Sequence, residues 1–317
     1  MRAARFARFG SPDVIEIRDV PRPKRRLPRD VLVQIEASSV NPKDVLLRKG
    51  KFGGVARPFL PLPMGSDFAG TIESAGSRSD LQPGDRVWGM LGGIRFGGCG
   101  EAVAARHDEV GLAPRSISLA EAASLPLVAL TSLQALRDHG DMVPGSRVLI
   151  HGASGGVGTV AIQIAKAFGA HVTAVCSTRN HSLVTDLGAD VSVDYHTTPP
   201  ETLSERFDIF FDVFGDKPYD VAKAVLASKG AYVSTIPSAR GFLDGFRTTL
   251  AAHRAGVILV RPSRSDLNTL ARLVDEGQLR AVVDRHYPLA DLADAHAYLE
   301  TKRARGKVVI EVSPGAR

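Results

Sequence analysis

The chain has 317 residues, 44% of them hydrophobic and 23% charged, which suits two ordinary globular cores better than one. No run reaches the roughly 18 unbroken apolar residues of a spanning helix, and residues 1–10 alternate arginine with apolar residues instead of forming a secretory block. The expected location is therefore the cytoplasm, with no membrane partner. The formal charge of +6 raises nucleic acid as a partner. However, basic residues are spread along the chain, and the densest run, residues 22–29, sits among prolines and reads as a solvated loop. No nucleic-acid partner is expected. Cys99 and Cys176 are the only cysteines, too few for a disulfide framework or a four-cysteine zinc lobe.

The first ~120 residues read as β-rich, with strand candidates at 31–35 and 67–72 and a tight turn at 82–85 feeding residues 86–88. Glycine and proline crowd 50–65 and 89–100, which predicts loops around a cleft. Residues 118–138 are rich in Ala and Leu and predict a helix. Residues 147–150 predict a short buried strand. Strand and helix then alternate to about residue 260, the pattern of βαβ units in a parallel sheet, with 257–260 as its last strand. Helices are expected at 265–276 and 289–301, and a closing strand at 307–312.

The strongest motif is Gly152-Ala153-Ser154-Gly155-Gly156-Val157-Gly158, placed between the strand at 147–150 and a helix with apolar residues at helical spacing. Glycines let backbone amides approach a pyrophosphate, and the helix N-terminus adds partial positive charge. The spacing is G-x-x-G-G-x-G, so its position between strand and helix carries more weight than the glycines alone. A second strand at 171–175 ends in Cys176-Ser177-Thr178-Arg179-Asn180. An NAD site usually has an acid there for the ribose hydroxyl. Here Ser177 can donate a hydrogen bond and Arg179 offers a guanidinium fork for a phosphate, so NADPH is the expected cofactor.

These segments resemble the zinc-independent, quinone oxidoreductase-like branch (the zeta-crystallin and enone reductases) of the medium-chain dehydrogenase/reductase superfamily. The motifs are Gly152 to Gly158, Ala161-Ile162-Gln163-Ile164-Ala165-Lys166, Leu187-Gly188-Ala189-Asp190 and Val193-Asp194-Tyr195. Nearer the start they are Ala37-Ser38-Ser39-Val40-Asn41-Pro42-Lys43-Asp44, Met64-Gly65-Ser66-Asp67-Phe68-Ala69-Gly70 and Pro83-Gly84-Asp85-Arg86-Val87, and at the end Gly306-Lys307-Val308-Val309-Ile310. The resemblance implies an α/β fold: a β-rich GroES-like catalytic domain over 1–121 and 262–317, and a Rossmann doubly wound domain over 122–261, with a cleft between them. It implies that Gly155, Gly156 and Val157 lie at the pyrophosphate, with Ser154 also binding the cofactor. Ser177, Thr178, Arg179, Asn180 and Tyr195 would lie near the adenosine phosphate. Phe214 and Gly215 would pass under the cofactor, Thr131 would stand near the nicotinamide, and Gly306 and Lys307 would touch the cofactor from the closing strand. Tyr195 and Phe214 can equally be core aromatics.

Zinc dehydrogenases of this superfamily bring a cysteine after the second strand and a histidine in a Gly-His-Glu motif. Here those regions read Val40-Asn41-Pro42-Lys43-Asp44 and Gly65-Ser66-Asp67, and the nine histidines show no ligand spacing, so no metal is expected. Hydride transfer without a Lewis acid suits an electron-poor acceptor, a small hydrophobic quinone or enone. Asn41 is the first candidate to bind the acceptor carbonyl or the cofactor carboxamide, with Asp44 and Lys43 behind it; the Asn41-Pro42 pair also reads simply as a turn. Where the family often has tyrosine or lysine five residues after this asparagine, the chain has Leu46, which implies a more apolar wall. The alternative is a non-catalytic NADPH-binding or interaction protein that kept the fold. The family often pairs two Rossmann sheets at their terminal strands, so a homodimer through 257–260 is expected.

Overall fold

The computed structural model describes residues 1–51, 56–93, 95–249 and 251–313. Parts of the two loop stretches, residues 52–55 and 94, lie outside these. The chain divides into two compact units, Met1–Leu127 with Arg261–Asp275 and Ala281–Arg317, and Val128–Val260 with Glu276–Arg280.

The first unit is built on strands. β1 (Arg2–Phe6) pairs with β2 (Glu16–Asp19) and with the two-residue β4 (Leu62–Pro63) in a small sheet. Between them, β3 (Val31–Val40) alternates apolar and polar residues at first, then becomes buried on both sides. Asn41 ends it and caps α1 (Pro42–Arg48): Pro42 takes the first helical position, where a missing N–H is harmless, and Asp44 accepts from the Asn41 backbone N–H. β5 (Asp67–Ala75), β6 (Arg86–Met90), β7 (Ala102–Ala105) and β8 (Val110–Leu112) follow.

The helix expected over 118–138 is broken. Ser118 caps α2 (Leu119–Ala123) through a box with Glu121, then α3 (Pro126–Gln134) starts afresh and passes into a wider π turn at Ala135–His139. Pro126 has no N–H to continue the first helix, so the chain restarts there.

The second unit is a parallel sheet: β9 (Arg147–His151), β10 (His171–Cys176), β11 (Val191–Asp194), β12 (Phe207–Asp212), β13 (Leu226–Ser234) and β14 (Arg254–Val257), in spatial order β11-β10-β9-β12-β13-β14. The strand order reverses between β9 and β12, which is the doubly wound arrangement whose ligand edge lies at the carboxyl ends of the strands. α4 (Gly156–Ala167) and α5 (His181–Asp186) connect the first strands. α6 (Ala239–Arg247) lies on β14.

The last strand corrects the expectation of 257–260. Arg254, Ala255 and Gly256 make the ladder with β13, and only Val257 is shared. Leu259 is already exposed, and the chain turns away toward Pro262. α6 explains the choice, because its Gly241 packs so close that an added Cβ would sit 2.6 Å from Val257.

The chain then returns to the first unit through α7 (Arg264–Asp275), β15 (Val283–Pro288), a short 3-10 turn at Leu289–Asp291, α8 (Leu292–Glu300) and β16 (Lys307–Glu311). The expected 289–301 helix thus begins with the tighter turn. β16 pairs antiparallel with β3, giving the order β15-β16-β3-β5-β6-β8, with β7 also against β3. The closing strand therefore brings residue 307 beside residue 41.

Candidate functional site

β9 ends at His151, and Gly152 reverses the chain at φ +85°, where a side chain would be strained. A Cβ at Gly158 would lie 2.4 Å from the Gly152 carbonyl oxygen, so only glycine lets α4 abut this turn. Gly155 caps α4 in extended conformation and offers no side chain. The N–H groups of Gly156, Val157 and Gly158 are therefore left for an external acceptor.

Ser154, Ser177 and Asn180 meet beside this turn. Asn180 Nδ2 donates to Ser154 Oγ at 2.9 Å and to Ser177 Oγ at 3.4 Å, while its Oδ1 is buried with no partner among the described residues. Each serine already accepts, so its own hydroxyl hydrogen is available to donate. Arg179 is exposed, with no side-chain hydrogen bond or ion pair among the described residues. Thr178 Oγ1 donates to Asp194. That contact amends the reading of a strand end without an acid: the register sets Asp194 beside Cys176, and its carboxylate also accepts from the His196 N–H at 2.9 Å. These hydrogen bonds, Thr178 first, hold the Asp194 carboxyl below its ordinary range.

Tyr195 is 44% exposed and Phe214 51%, so neither is a core aromatic. Phe214 lies over the turn, its backbone nitrogen 3.2 Å from where a Gly152 Cβ would be. Gly215 has φ +77° and donates to Asp212 Oδ1 at 2.8 Å. Thr131 is buried in α3; its neighbour Ser132 donates to the Val157 carbonyl at 3.1 Å, which ties that helix to the start of α4. Gly306 and Lys307 belong to the other unit.

No sequence spacing linked His151 to a carboxylate, yet the fold brings ligand-type atoms of His151, Asp212 and Asp216 within 4.8 Å of one another. Most of these atoms are engaged, while His151 Nδ1 is buried with no partner among the described residues. Asp212 accepts from the Gly215 and Lys217 N–H groups and from Tyr232 Oη, and Asp216 Oδ1 lies 2.9 Å from His151 Nε2. Burial raises the Asp212 carboxyl against those donors.

In the first unit, the ends of β3, β5 and β16 and the start of α1 enclose a buried polar network. Asn41 Nδ2 donates to Asp67 Oδ2 at 2.8 Å, and Asn41 Oδ1 accepts from Lys307 Nζ. Lys307 also reaches the Val40 carbonyl at 3.3 Å and lies 3.7 Å from Asp67 Oδ2. Asp67 accepts in addition from Ser39 Oγ at 2.7 Å and from the Leu127 N–H at 2.8 Å. Asp44 takes Ser66 Oγ at 2.9 Å and the Asn41 N–H at 2.9 Å. Asn41 and Asp44 are fully buried with their acceptors in use, so both hold the network together.

Burial raises the Asp44 carboxyl to about 6, against the pull of Lys43. It lowers Lys307, against Asp67 and Asp44, and lowers Lys43, against the same two carboxylates. Lys43 is the half-buried member, its ammonium 5.2 Å from the Phe96 ring centre. Burial also pushes the Cys99 thiol to about 12 and Cys176 to about 11, so neither is a nucleophile at neutral pH. Ser39, Ser66 and Asp67 are the members that sequence spacing leaves without a role; their signals are the motifs Ala37 to Asp44 and Met64 to Gly70.

Residues 27–122 match the family model of the alcohol dehydrogenase GroES-like domain, and 187–310 that of zinc-binding dehydrogenase. The chain is 35% identical to the mouse mitochondrial NAD(P)H oxidoreductase RTN4IP1 over 326 residues, covering 90% of this chain and 82% of that one. The chain belongs to the medium-chain dehydrogenase/reductase superfamily. Within it, the chain is 34% identical to the chloroplastic NADPH-dependent alkenal/one oxidoreductase of Arabidopsis thaliana, covering 99% of this chain and 80% of that one. The quinone oxidoreductase structure from Coxiella burnetii superposes with a TM-score of 0.90 at 33% identity, covering 99% of both chains. The first unit is the GroES-like domain and the second the Rossmann domain.

Zinc, which one of these family models carries in its description, does not fit the superfamily's ligand positions here. Asn41 and Ser66 occupy them, an amide and a hydroxyl in place of thiolate and imidazole, and a lysine ammonium already fills the charge beside Asp67. A dinucleotide does fit the Rossmann turn: free first-turn N–H groups, two serine hydroxyls with hydrogens to donate, and the orphaned Asn180 Oδ1 all lie at one strand edge.

Proposed function

We propose that this chain is an NADPH-dependent reductase that delivers hydride, without a metal, to a quinone or an α,β-unsaturated carbonyl. The observation that carries the reading is the end of β10, where the unpaired Arg179 stands beside Ser177 and the capped turn, arranged for a phosphate dianion. The Asp194 carboxylate is occupied by Thr178 and the His196 N–H, which leaves Arg179 to set the preference. Similarity to NAD(P)H, quinone and alkenal/one oxidoreductases supports the same substrate class.

Bound NADPH would supply the hydride. Gly155, Gly156 and Val157 would hold its pyrophosphate, with Ser154, Ser177, Thr178, Arg179, Asn180 and Tyr195 around the adenosine phosphate. Phe214, Gly215 and Thr131 would shape the nicotinamide side, with Gly306 and Lys307 from the closing strand. Asn41 and Asp44 act by position: they hold α1 so that Lys43 presents an ammonium, stabilising negative charge on the acceptor oxygen and supplying the proton. Positioning and exclusion of water account for the rest of the rate. A reducing compartment such as the cytoplasm suits two buried free thiols.

We also infer a homodimer. β14 pairs only with β13 among the described residues, and α6 turns its small and polar face inward while Phe242, Leu243 and Phe246 face out, Phe246 at 82% exposure.

Oxidation of NADPH by a panel of quinones and enones, with and without prior chelation, tests the function. Turnover unaffected by the chelator is expected. No turnover of any acceptor, or turnover that needs added zinc, would overturn it.

A further inference from the structure

The basic run that the sequence presents as a solvated loop is a built surface. Residues 21–30 join β2 to β3 without regular structure, yet their backbone is pinned. The buried Asp30 carboxylate accepts from the Arg26 and Leu27 N–H groups at 3.2 and 2.9 Å, and the Asp30 N–H donates to the Leu27 carbonyl at 3.0 Å. From the turn after β5, Gly76 N–H donates to the Asp30 carbonyl at 3.0 Å and Arg78 N–H to the Pro28 carbonyl at 2.9 Å. The approach is so close that a Cβ on Gly76 would lie 2.1 Å from the Pro28 oxygen. Pro21, Pro23 and Pro28 restrict what remains.

Charge is the consequence. Lys24, Arg25, Arg26, Arg29 and Arg78 are all exposed, and none makes a side-chain hydrogen bond or ion pair among the described residues. The segment's one carboxylate, Asp30, is turned inward. Glu73 pairs with Arg22, and Asp80 with Arg264 at 2.6 Å, which leaves Asp19 at the end of β2 as the nearby exposed acid. Leu27 stands among the cations at 58% exposure.

We propose that this pair of loops docks the chain on an anionic phospholipid surface, the five cations facing headgroup phosphates and Leu27 entering the headgroup layer. Clusters of four to eight lysines and arginines are a recognised match for acidic lipid. A pinned backbone loses little freedom on docking. No aromatic residue stands in residues 21–30 or 76–80 to stack on bases, which disfavours a single-stranded nucleic acid. Peripheral docking needs no spanning segment, and among the described residues no helix is long and apolar enough to be one. The proposal deepens the reading of a quinone acceptor, since a poorly water-soluble quinone resides in the bilayer; the docking itself does not depend on turnover.

The test is co-sedimentation of the full chain with vesicles of phosphatidylcholine alone and of phosphatidylcholine with phosphatidylglycerol, at low and high salt. Binding is expected only to the acidic vesicles and only at low salt. Each basic residue near such a surface contributes about fivefold in partitioning, so K24Q/R25Q/R26Q should bind about a hundredfold more weakly. The triple variant should keep the parent thermal midpoint and its turnover of a water-soluble quinone. L27S should weaken binding without altering its salt dependence. Equal binding to neutral vesicles, undiminished binding of the triple variant, or tighter binding to a DNA duplex than to acidic vesicles at the same salt would overturn the proposal. Salt-sensitive binding to acidic vesicles by a chain that turns over neither quinone nor enone would uphold the docking while removing the reductase reading.

Discussion

Lys307→Met removes the internal cation of the GroES-like domain while keeping most of its volume. Lys307 is 4% exposed, and its ammonium lies 3.7 Å from Asp67 Oδ2 and bonds Asn41 Oδ1 and the Val40 carbonyl. The variant leaves Asp67 fully buried with three donors, Ser39, Asn41 and the Leu127 N–H, and no countercharge bonded to it. Breaking one side of a buried ion pair costs about 3–5 kcal/mol, because the remaining charge has no solvent. For a domain of this size that is a fall of about 6–20 °C in the thermal midpoint. Adding Asp67→Asn removes the orphaned charge, so the double variant should recover a coupling of about 2 kcal/mol or more relative to the sum of the single variants. Thermal melts of the four proteins at neutral pH measure this directly. A loss below about 1 kcal/mol for Lys307→Met, or strict additivity of the two substitutions, would refute the claim that this ammonium holds the network.

Arg179→Ala should weaken NADPH by about 1.5–3 kcal/mol, the range of a charged hydrogen bond, and leave NADH nearly unchanged in titration; equal losses would exclude a role in reading the phosphate. Asp44→Asn tests the buried carboxyl. Its folded pKa is raised from 3.8 to about 6, so the folded state favours the protonated form, and stability is lost as pH rises between those two values. Relative to the variant, the parent should lose about 3 kcal/mol between about pH 4 and pH 6 and then level off; denaturation across that range showing a constant difference would contradict the placement. Lys43→Met should lower kcat with an enone by about 10²–10⁴-fold while cofactor affinity stays, and an unchanged kcat would remove the ammonium from the chemistry. Light scattering at micromolar concentration should give the mass of two chains, and Phe246→Glu should give one; a monomeric parent would sink the dimer.

The parts legible in the sequence are those where the backbone itself dictates the residue. Gly152 and Gly158 are required by a positive φ and by a helix packed against a turn, so the dinucleotide turn can be read from letters alone. Strands buried on both faces, such as β9, announce themselves as apolar runs. The same rule misplaces β14, because Val257 to Val260 is the apolar run, whereas Arg254, Ala255 and Gly256 make the ladder with Val257; the helix above approaches closely through Gly241 and Gly245, which no local pattern reveals. The break before Pro126 is local, but the Ala- and Leu-rich composition on either side hides it. The polar network was out of reach for a different reason. Asn41 and Lys307 lie 266 positions apart, and only the antiparallel pairing of β16 with β3 makes them neighbours. Asp194 escaped notice in the same way, through the register of β10 and β11.

Those long-range contacts bear on the chemistry. Two carboxylates, Asp44 and Asp67, face two ammonium groups, Lys43 and Lys307, so the cluster is near neutrality before any ligand arrives. A divalent ion entering at Asn41 and Ser66 would have to displace the Lys307 ammonium from both Asn41 and Asp67, and those two positions themselves offer only an amide and a hydroxyl in place of thiolate and imidazole. On the proposed reading, the part that a metal plays in zinc dehydrogenases falls to Lys43, whose ammonium is half-buried beside Phe96. An ammonium is not a Lewis acid, but it would hydrogen-bond a developing oxyanion and carries its own proton. Such a group would suit an acceptor that is already electron-poor and needs both a little charge stabilisation and a proton, the demand that the proposed quinone or enone makes and a simple ketone exceeds.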